Sequence, residues 1–362
     1  MRSDFVMSNK KENTTKKYMR SDFVMSNKKE NTITARNWKE KPISIVLTMV
    51  LFLLVLVSTG DTAQQEIKQA VYFNYPEWVY YDLIYLAEDL GYFDDAGVKP
   101  NYVGQIAAGQ MVPALSTGDI DVVNRHTPLI ISAVEAGADI KIFAAGSMAT
   151  QANPHMKYFV RADSDIKGIE DMKGVTFGIN SFGACSEFVT KRALRNAGID
   201  PSSIKMRTAP DSEQEVPLLR GDTDVAIIHP LSSGRASANT KDFRMLMSDW
   251  NIDGGISGMC PYSVNGGFLA RHPQAVTELT EILSRAAKWN NAHPEEARAL
   301  MAKRFGFALE ETEMFEFYED QIIPAENIRY WYDLFLEEGL VTPAKTTLEN
   351  IYTNALNPVN NP

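Results

Sequence analysis

Short apolar runs alternate with helical stretches over most of this 362-residue chain, and this alternation constrains its fold more than any other feature. Runs such as 70–73, 120–123 and 140–144 have the length and composition of buried strands. The amphipathic stretches between them end at glycines such as Gly91 and Gly118, and glycine is favoured just past a helix C-terminus. This spacing predicts an α/β fold with a mostly parallel sheet and right-handed crossovers.

The same pattern begins again after residue 157, which predicts a second α/β unit. Residues 158–161, 175–179 and 225–228 are expected to form strands of that unit. Residues 267–270 are expected to form one further strand. After them the chain is expected to be helical to its end, with one of the helices over 310–319.

The sequence therefore predicts two lobes, each with its own sheet flanked by helices. Residues 64–157 and 262–362 are expected to form lobe 1, and residues 158–261 lobe 2. Small ligands bind preferentially at domain interfaces, so we expect a ligand cleft between the lobes.

The N-terminal part of the chain differs in composition from the rest and reads as a targeting segment. Residues 1–42 hold eleven basic and five acidic residues and contain a 14-residue segment twice, so we expect a disordered basic leader. The uncharged apolar run that follows predicts a signal peptide or an uncleaved N-terminal anchor over residues 43–63. Either interpretation places the body outside the cytoplasm, in the periplasm or its equivalent.

Composition and motif content exclude several classes of function. The remainder of the chain holds 25 basic against 41 acidic residues, which argues against a nucleic-acid partner. Two cysteines are too few for a disulfide scaffold or a cysteine-built metal site, and the spacing of the five histidines suggests no metal site. The GxSxG, HExxH, P-loop, GxGxxG and CxxC motifs are missing. We therefore expect no enzyme activity and no cofactor.

Five segments of the sequence together resemble a known family. They are LIYLAEDLGYFDDAGVK (83–99), ALSTGDIDVV (114–123), AGADIKIFAA (136–145), IKGIEDMKGVTFG (166–178) and LLRGDTDVAIIHP (218–230). In this order they resemble blocks of the extracytoplasmic solute-binding proteins of ABC importers. The resemblance is to the branch of nitrate, sulfonate, taurine and thiamine-pyrimidine-precursor proteins, and it covers about residues 68–300.

This resemblance implies a type II periplasmic-binding-protein fold that closes on one small molecule and delivers it to a membrane permease. The implied ligand is a sulfonate, an aromatic acid or a pyrimidine, and the implied protein is a monomer without a cofactor. Two alternatives share the scaffold. One is a thiamine-pyrimidine-synthase-like enzyme, whose HCCCFC motif has no counterpart in the matching turn NSFGACSE. The other is the ligand-sensing domain of a regulator, which would need a DNA-binding helix-turn-helix.

Candidate ligand-binding residues follow the predicted strands, because ligands of open parallel sheets bind beyond the carboxyl ends of the strands. In lobe 1 the candidates are Asn74, Tyr75, Glu77, Trp78, Gln105, Asn124, Arg125, His126 and Thr127. Trp78, with Tyr80 and Tyr81, forms either an aromatic wall of the site or part of the core. Arg125 suits a carboxylate or a sulfonate, or else a salt bridge at the rim. Glu77 would instead pair with an amino group.

In lobe 2 the candidates are Asn180, Ser181, Phe182, Gly183, Ala184 and His229. The turn over 180–186 joins a strand to a helix, where free N–H groups and the helix dipole favour an anion. Its serines are equally N-cap candidates. Phe182 and Cys185 depart from the serine-rich turn of the sulfonate-binding members, which favours a larger or aromatic ligand. Asp211 and Asp253 are expected in loops without a matching base.

Overall fold

The computed structural model describes residues 69–360. The predicted basic leader and the predicted signal peptide or anchor lie outside the described residues. The described residues belong to one compact unit. Within residues 69–360, no helix has both the length and the apolar character needed to cross a membrane.

The described part of the chain contains two sets of strands. In chain order the strands are β1 (Val71–Glu77), β2 (Val98–Gln105), β3 (Val122–Asn124), β4 (Ile140–Met148), β5 (Lys157–Arg161), β6 (Thr176–Ile179), β7 (Lys205–Thr208), β8 (Val225–Ile228), β9 (Phe243–Ser248), β10 (Cys260–Asn265) and β11 (Glu316–Phe317). The first lobe holds the pair β1–β2 and a sheet of order β11-β4-β10-β3, and the second lobe holds a sheet of order β7-β6-β8-β5-β9. The expectation of two α/β lobes is confirmed, while the domain bounds drawn from the sequence stay a prediction.

The sheets are more mixed than the expected, mostly parallel ones. β1 runs parallel to β2, and β6 runs parallel to β7 and β8. In contrast, β5 is antiparallel to β8 and β9, and β10 is antiparallel to β3 and β4. The edge of the sheet at which each strand begins explains these antiparallel pairs. β5 and β10 begin at the edge where β8 and β3 end, so each must run opposite to its neighbour.

Helices flank these sheets. In chain order they are α1 (Leu83–Asp89), α2 (Met111–Thr117), α3 (Thr127–Glu135), α4 (Cys185–Asn196), α5 (Glu215–Arg220), α6 (Ser233–Ala238), α7 (Asp249–Asp253), α8 (Gly266–Arg271), α9 (Pro273–Ala292), α10 (Pro294–Phe305), α11 (Ala325–Glu337) and α12 (Leu348–Ile351). Gly118 ends α2 in the left-handed conformation, as the sequence predicts.

Two predicted elements are wrong. Residues 267–270 lie in α8 and do not form a strand, because the side chain of Asn265 accepts the Phe268 N–H at 3.0 Å and caps a helix there. Residues 310–319 hold the end of a short 3-10 turn and the strand β11 instead of a helix. There the amide of Asn291 holds the backbone of Phe317 in place, so a distant partner overrides the local helical pattern.

Candidate functional site

A cavity of about 640 Å³ opens where strands of both lobes end. Its walls come from the residues after β1, β2 and β3 of the first lobe and after β6, β7 and β8 of the second. The placement follows the rule that ligands bind beyond the carboxyl ends of such strands. The volume is in the ordinary range for sites of small organic molecules.

Eight of the residues predicted from the sequence line this cavity. They are Glu77, Trp78, Gln105, Arg125, His126, Asn180, Ala184 and His229. They come from both lobes, so the structure brings together side chains that lie up to about 150 positions apart in the sequence.

Seven other predicted residues lie outside the cavity lining: Asn74, Tyr75, Asn124, Thr127, Ser181, Phe182 and Gly183. Alternation along the strand explains Tyr75, which points into the core and donates a hydrogen bond to Asp82. Asn74 accepts a hydrogen bond from Asn101 at 2.7 Å, and the Asn124 amide donates to the Cys260 carbonyl at 2.8 Å. These side chains organise the strands around the site.

The turn before α4 was expected to offer free N–H groups to an anion, and one of these groups, that of Gly183, is already paired. The N–H of Gly183 donates to the Glu187 carboxylate at 2.7 Å, so a side chain of the same helix already takes this place. Within the turn, Ser181 is buried and Phe182 is 57% exposed. Thr127 is buried at the start of α3.

One wall of the cavity combines stacked aromatic rings with a buried cation. Trp78 and Tyr80 stack with ring centroids 4.3 Å apart at an interplanar angle of 9°. The guanidinium of Arg125 lies 5.4 Å from the Trp78 ring centroid. Tyr81, in contrast, lies in the core and donates a hydrogen bond to Asn290 at 2.7 Å.

Arg125 has an unusual electrostatic position, because it is only 5% exposed. Within residues 69–360, no carboxylate forms an ion pair with it, and its Nε has no hydrogen-bond partner there. A buried charge without a counter-charge is costly unless something pairs with it. This wall of the cavity is therefore suited to a negatively charged group.

A cluster of three imidazoles and one thiol, which we call the His–Cys cluster, forms the floor of the cavity. Its members are His126, His155, Cys185 and His229, all of which are buried. The Nε2 atoms of His126 and His155 lie 2.5 Å apart, and the Sγ of Cys185 lies 3.2 Å from Nε2 of His229. The ring of Trp331 on α11 contacts His126 edge-on, with centroids 6.1 Å apart, and holds it in place.

Asp211 orients the last member of the cluster. Its Oδ1 lies 2.9 Å from Nδ1 of His229 and also accepts the backbone N–H of His229 at 3.0 Å. Asn180 donates to the other carboxylate oxygen at 3.2 Å. The expectation that Asp211 lacks a matching base is therefore wrong. Burial alone would lower the pKa of His229, but the charges of Asp211 and Cys185 and the hydrogen bonds to them together outweigh it and raise the pKa to about 10.

The charges in the cluster also shift the pKa of its thiol and of a second imidazole. Burial alone would raise the pKa of Cys185, but the charges of His126 and His229, together with hydrogen bonds to His126 and His155, outweigh it and hold the pKa well below its usual value. Burial, with the neighbouring His126, lowers the pKa of His155 to about 3. Both cysteines of the chain, Cys185 and Cys260, are free thiols.

Sequence reasoning missed His155, Cys185 and Asp211 as members of one site. His155 lies in the loop before β5, Cys185 begins α4 after β6, and Asp211 begins a 3-10 turn after β7, so nearness to a strand end was the available signal. Their convergence with His126 and His229 depends on long-range packing of two sheets, because these residues spread over a hundred positions of sequence. The donor types, imidazole and thiol, are those that hold transition-metal ions in proteins.

The chain was compared with known families, curated proteins and solved structures. The family model described as NMT1/THI5 like matches residues 78–297. None of the curated proteins matches the chain. Among solved structures, the chain is similar to the periplasmic aliphatic sulphonate binding protein SsuA from Escherichia coli, with 22% identity and a TM-score of 0.61 over 78% of this chain and 91% of that one.

Two further structures support the same fold. One is the ligand binding component of an ABC-type import system from Staphylococcus aureus with zinc bound, at 13% identity and a TM-score of 0.67 over 80% of this chain and 98% of that one. The other is the periplasmic nitrate-binding protein NrtA from Synechocystis PCC 6803, at 13% identity and a TM-score of 0.65 over 80% and 87%. These likenesses show the two-lobed periplasmic-binding-protein fold. Since the family model covers more than half of the 362 residues, the chain belongs to the NMT1/THI5-like family.

Proposed function

We propose that this protein is the extracytoplasmic solute-binding component of an ABC importer. It captures one small organic anion between its lobes by hinge closure and delivers it to a membrane permease, without changing the solute chemically. The proposal is supported by the family, by the two-lobed fold and by a cavity between strand ends of both lobes. Export through the segment 43–63 and a monomeric state are parts of the same proposal.

The observation that carries the proposal is the buried, unpaired guanidinium of Arg125 at the cavity wall. A guanidinium binds a carboxylate or a sulfonate through two parallel hydrogen bonds. The stacked rings of Trp78 and Tyr80 beside it suit an apolar or aromatic body. A cavity of about 640 Å³ is larger than an inorganic anion needs. The substrate class is therefore an organic sulfonate or carboxylate that carries an apolar group.

A panel of ligands tests this proposal by thermal unfolding of the purified chain. The panel contains alkanesulfonates, aromatic carboxylates and pyrimidines, each matched with a neutral analogue of the same size. A ligand at a hundred times its Kd adds roughly 2.7 kcal/mol to the free energy of unfolding. We expect stabilisation by at least one anion and not by its neutral analogue. Equal stabilisation by both members of every pair would contradict the assigned role of Arg125.

A second candidate function is a thiol-dependent enzyme on the same scaffold. It is favoured by the chain of contacts from Cys185 through His229 to Asp211, which has the order of nucleophile, base and orienting carboxylate. Incubation of the chain with the stabilising anion separates the two functions. Recovery of the anion with unchanged mass supports binding alone, whereas steady conversion that Cys185→Ser abolishes supports the enzyme.

A further inference from the structure

The His–Cys cluster gathers four donor atoms that have few partners besides one another. The reactive atoms of His126, His155 and Cys185 all lie within 4.8 Å of one another. The Sγ of Cys185 lies 3.8 Å from Nε2 of His155 and 3.2 Å from Nε2 of His229. All four side chains are buried, and the cavity lies beside them. The donor atoms of His126, His155 and Cys185 therefore converge on one point, and Nε2 of His229 lies beside the thiol.

Hydrogen bonding fixes the direction of the lone pairs of these donor atoms. A metal ion that binds Nε2 of His229 displaces the proton there, and the remaining proton stays on Nδ1, which faces Asp211 at 2.9 Å. The two Nε2 atoms of His126 and His155 face each other at 2.5 Å, so a neutral pair holds at most one proton between them. Their Nδ1 atoms have no hydrogen-bond partner within residues 69–360.

We propose that the His–Cys cluster is a binding site for one zinc-type divalent ion, held by Nε2 of His126, His155 and His229 and by Sγ of Cys185. Three imidazoles and one thiolate form a donor set that suits a tetrahedral borderline cation. Asp211 then acts as the outer carboxylate that orients a ligating histidine. Ligand nitrogens around tetrahedral zinc lie about 3.3 Å apart, so His126 and His155 separate by roughly 1 Å when the ion binds.

A nucleophilic thiol explains less of this geometry than a metal site does. A catalytic cysteine needs one imidazole as its base, which His229 supplies. It gives no reason for His126 and His155 to approach the same thiol with facing ring nitrogens. A metal ion accounts for all four side chains and for Asp211 behind them.

The site goes beyond solute capture because its ligands come from both lobes. His126 follows β3 of the first lobe, whereas Cys185 and His229 follow β6 and β8 of the second. One ion bound to all of them therefore links the lobes across the floor of the cavity. The ion stabilises the closed arrangement even when no organic solute is bound.

The test uses the purified full chain, stripped with a chelator and titrated with Zn²⁺ alone, without any organic solute. We expect one zinc ion per chain, measured by elemental mass spectrometry after gel filtration. With Co²⁺ as a spectroscopic probe we expect a thiolate charge-transfer band, which Cys185→Ser removes. His126→Ala, which removes a proposed ligand, should lower zinc affinity at least as much as Asp211→Asn does. Asp211→Asn should lower it roughly 10- to 100-fold.

Matched controls separate a lost ligand from a lost fold. His272→Ala removes a histidine outside the cavity lining and should leave zinc affinity unchanged. Circular dichroism reports whether each variant folds. If the ligand variants do not fold, Asp211→Asn and the cobalt spectrum of the wild-type chain still decide the question.

Two results would overturn the metal site. One is a folded wild-type chain that, after stripping and titration with Zn²⁺, retains no more zinc than His126→Ala does. The other is alkylation of Cys185 at the same rate with and without Zn²⁺, which would favour the nucleophilic thiol. Neither result bears on the anion panel, because the contrast between an anion and its neutral analogue depends on Arg125. The two proposals can therefore fail separately.

Discussion

Arg125 lies buried against the face of Trp78, and no carboxylate within residues 69–360 pairs with it. Replacing it with alanine removes the charged donor that we assign to the solute anion. We expect Arg125→Ala to weaken binding of the stabilising anion roughly 10- to 100-fold, the worth of a hydrogen bond to a charged group. Isothermal titration calorimetry measures this change. The control is Arg271→Ala, an exposed arginine outside the cavity lining.

The outcome for the neutral analogue sharpens this test. Its affinity should change little in Arg125→Ala, because it has no charge for the guanidinium to pair with. If the anion binds Arg125→Ala as tightly as it binds the wild-type chain, the Arg125 guanidinium only packs against Trp78 and does not bind the anion.

Asp249 predicts a pH dependence of stability at the same scale. Its carboxyl is fully buried at the start of α7, where Oδ1 accepts the Met156 N–H at 3.2 Å and Oδ2 has no partner within residues 69–360. Burial raises its pKa from 3.8 to about 7. Between these two values the folded chain keeps a proton that the unfolded chain has released. The free energy of unfolding therefore falls as pH rises through this window.

Asp249→Asn should remove this contribution. Relative to the wild-type chain, the variant should gain stability as pH rises from about 4 to about 7, by at most about 1.4 kcal/mol for each pH unit. Urea denaturation at several pH values measures the gain. Asp163→Asn, which changes an exposed carboxyl, serves as the control. A difference between Asp249→Asn and the wild-type chain that is constant with pH would contradict the account.

At the scale of elements, the pairing of β4 with β10 depends on a glycine. Gly146 has a φ of +70°, and a Cβ there would lie 2.1 Å from the carbonyl oxygen of Cys260. Gly146→Ala therefore combines backbone strain with a clash between neighbouring strands. We expect it to lower the free energy of unfolding by roughly 2–5 kcal/mol.

Gly137→Ala is the matched control for this clash. Gly137 also has a positive φ, of +96°, but a Cβ there meets nothing within 4 Å. Its replacement should cost only the backbone strain, roughly 1–2 kcal/mol. Urea denaturation compares the two variants. Equal losses would show that the strands move apart without cost and that the close approach does not matter.

Local patterns predicted most elements where neighbouring residues decide them, but a local cap and a distant partner each produced a failure. The glycine stop at Gly118 and the strand after Ala70 need only neighbouring residues. Residues 267–270 failed because four apolar or small residues fit a strand and a helix equally, and the deciding cap comes from Asn265. Residues 310–319 failed because the partner that holds Phe317, Asn291, lies far away in the sequence.

In the candidate site, too, features that depend on one strand could be predicted from the sequence, whereas features that depend on distant packing could not. Trp78 and Arg125 were predicted because each follows a strand, and the carboxyl ends of strands meet at one edge. Tyr75 was predicted as a ligand contact but lies in the core, because a one-residue step along a strand reverses the side-chain direction. His155 and Cys185 could not be joined to His126 from the sequence, because two sheets must fold before these side chains meet.

At the scale of the whole molecule, three features support one mechanism of capture by closure. Two lobes face a common cavity, a buried guanidinium lies in one wall, and the His–Cys cluster spans both lobes at the floor. An anion that contacts residues of both lobes binds the closed state more tightly than the open one, and this difference drives closure. The permease would then select the closed form.

The central claim, capture of one small organic anion, is tested most directly by native mass spectrometry of the purified full chain with the anion panel. The account predicts a complex of one chain with one anion for at least one panel member, released intact on denaturation and lost in Arg125→Ala. A folded chain that forms no such complex with any sulfonate or carboxylate, or one that binds them equally well without Arg125, would contradict it.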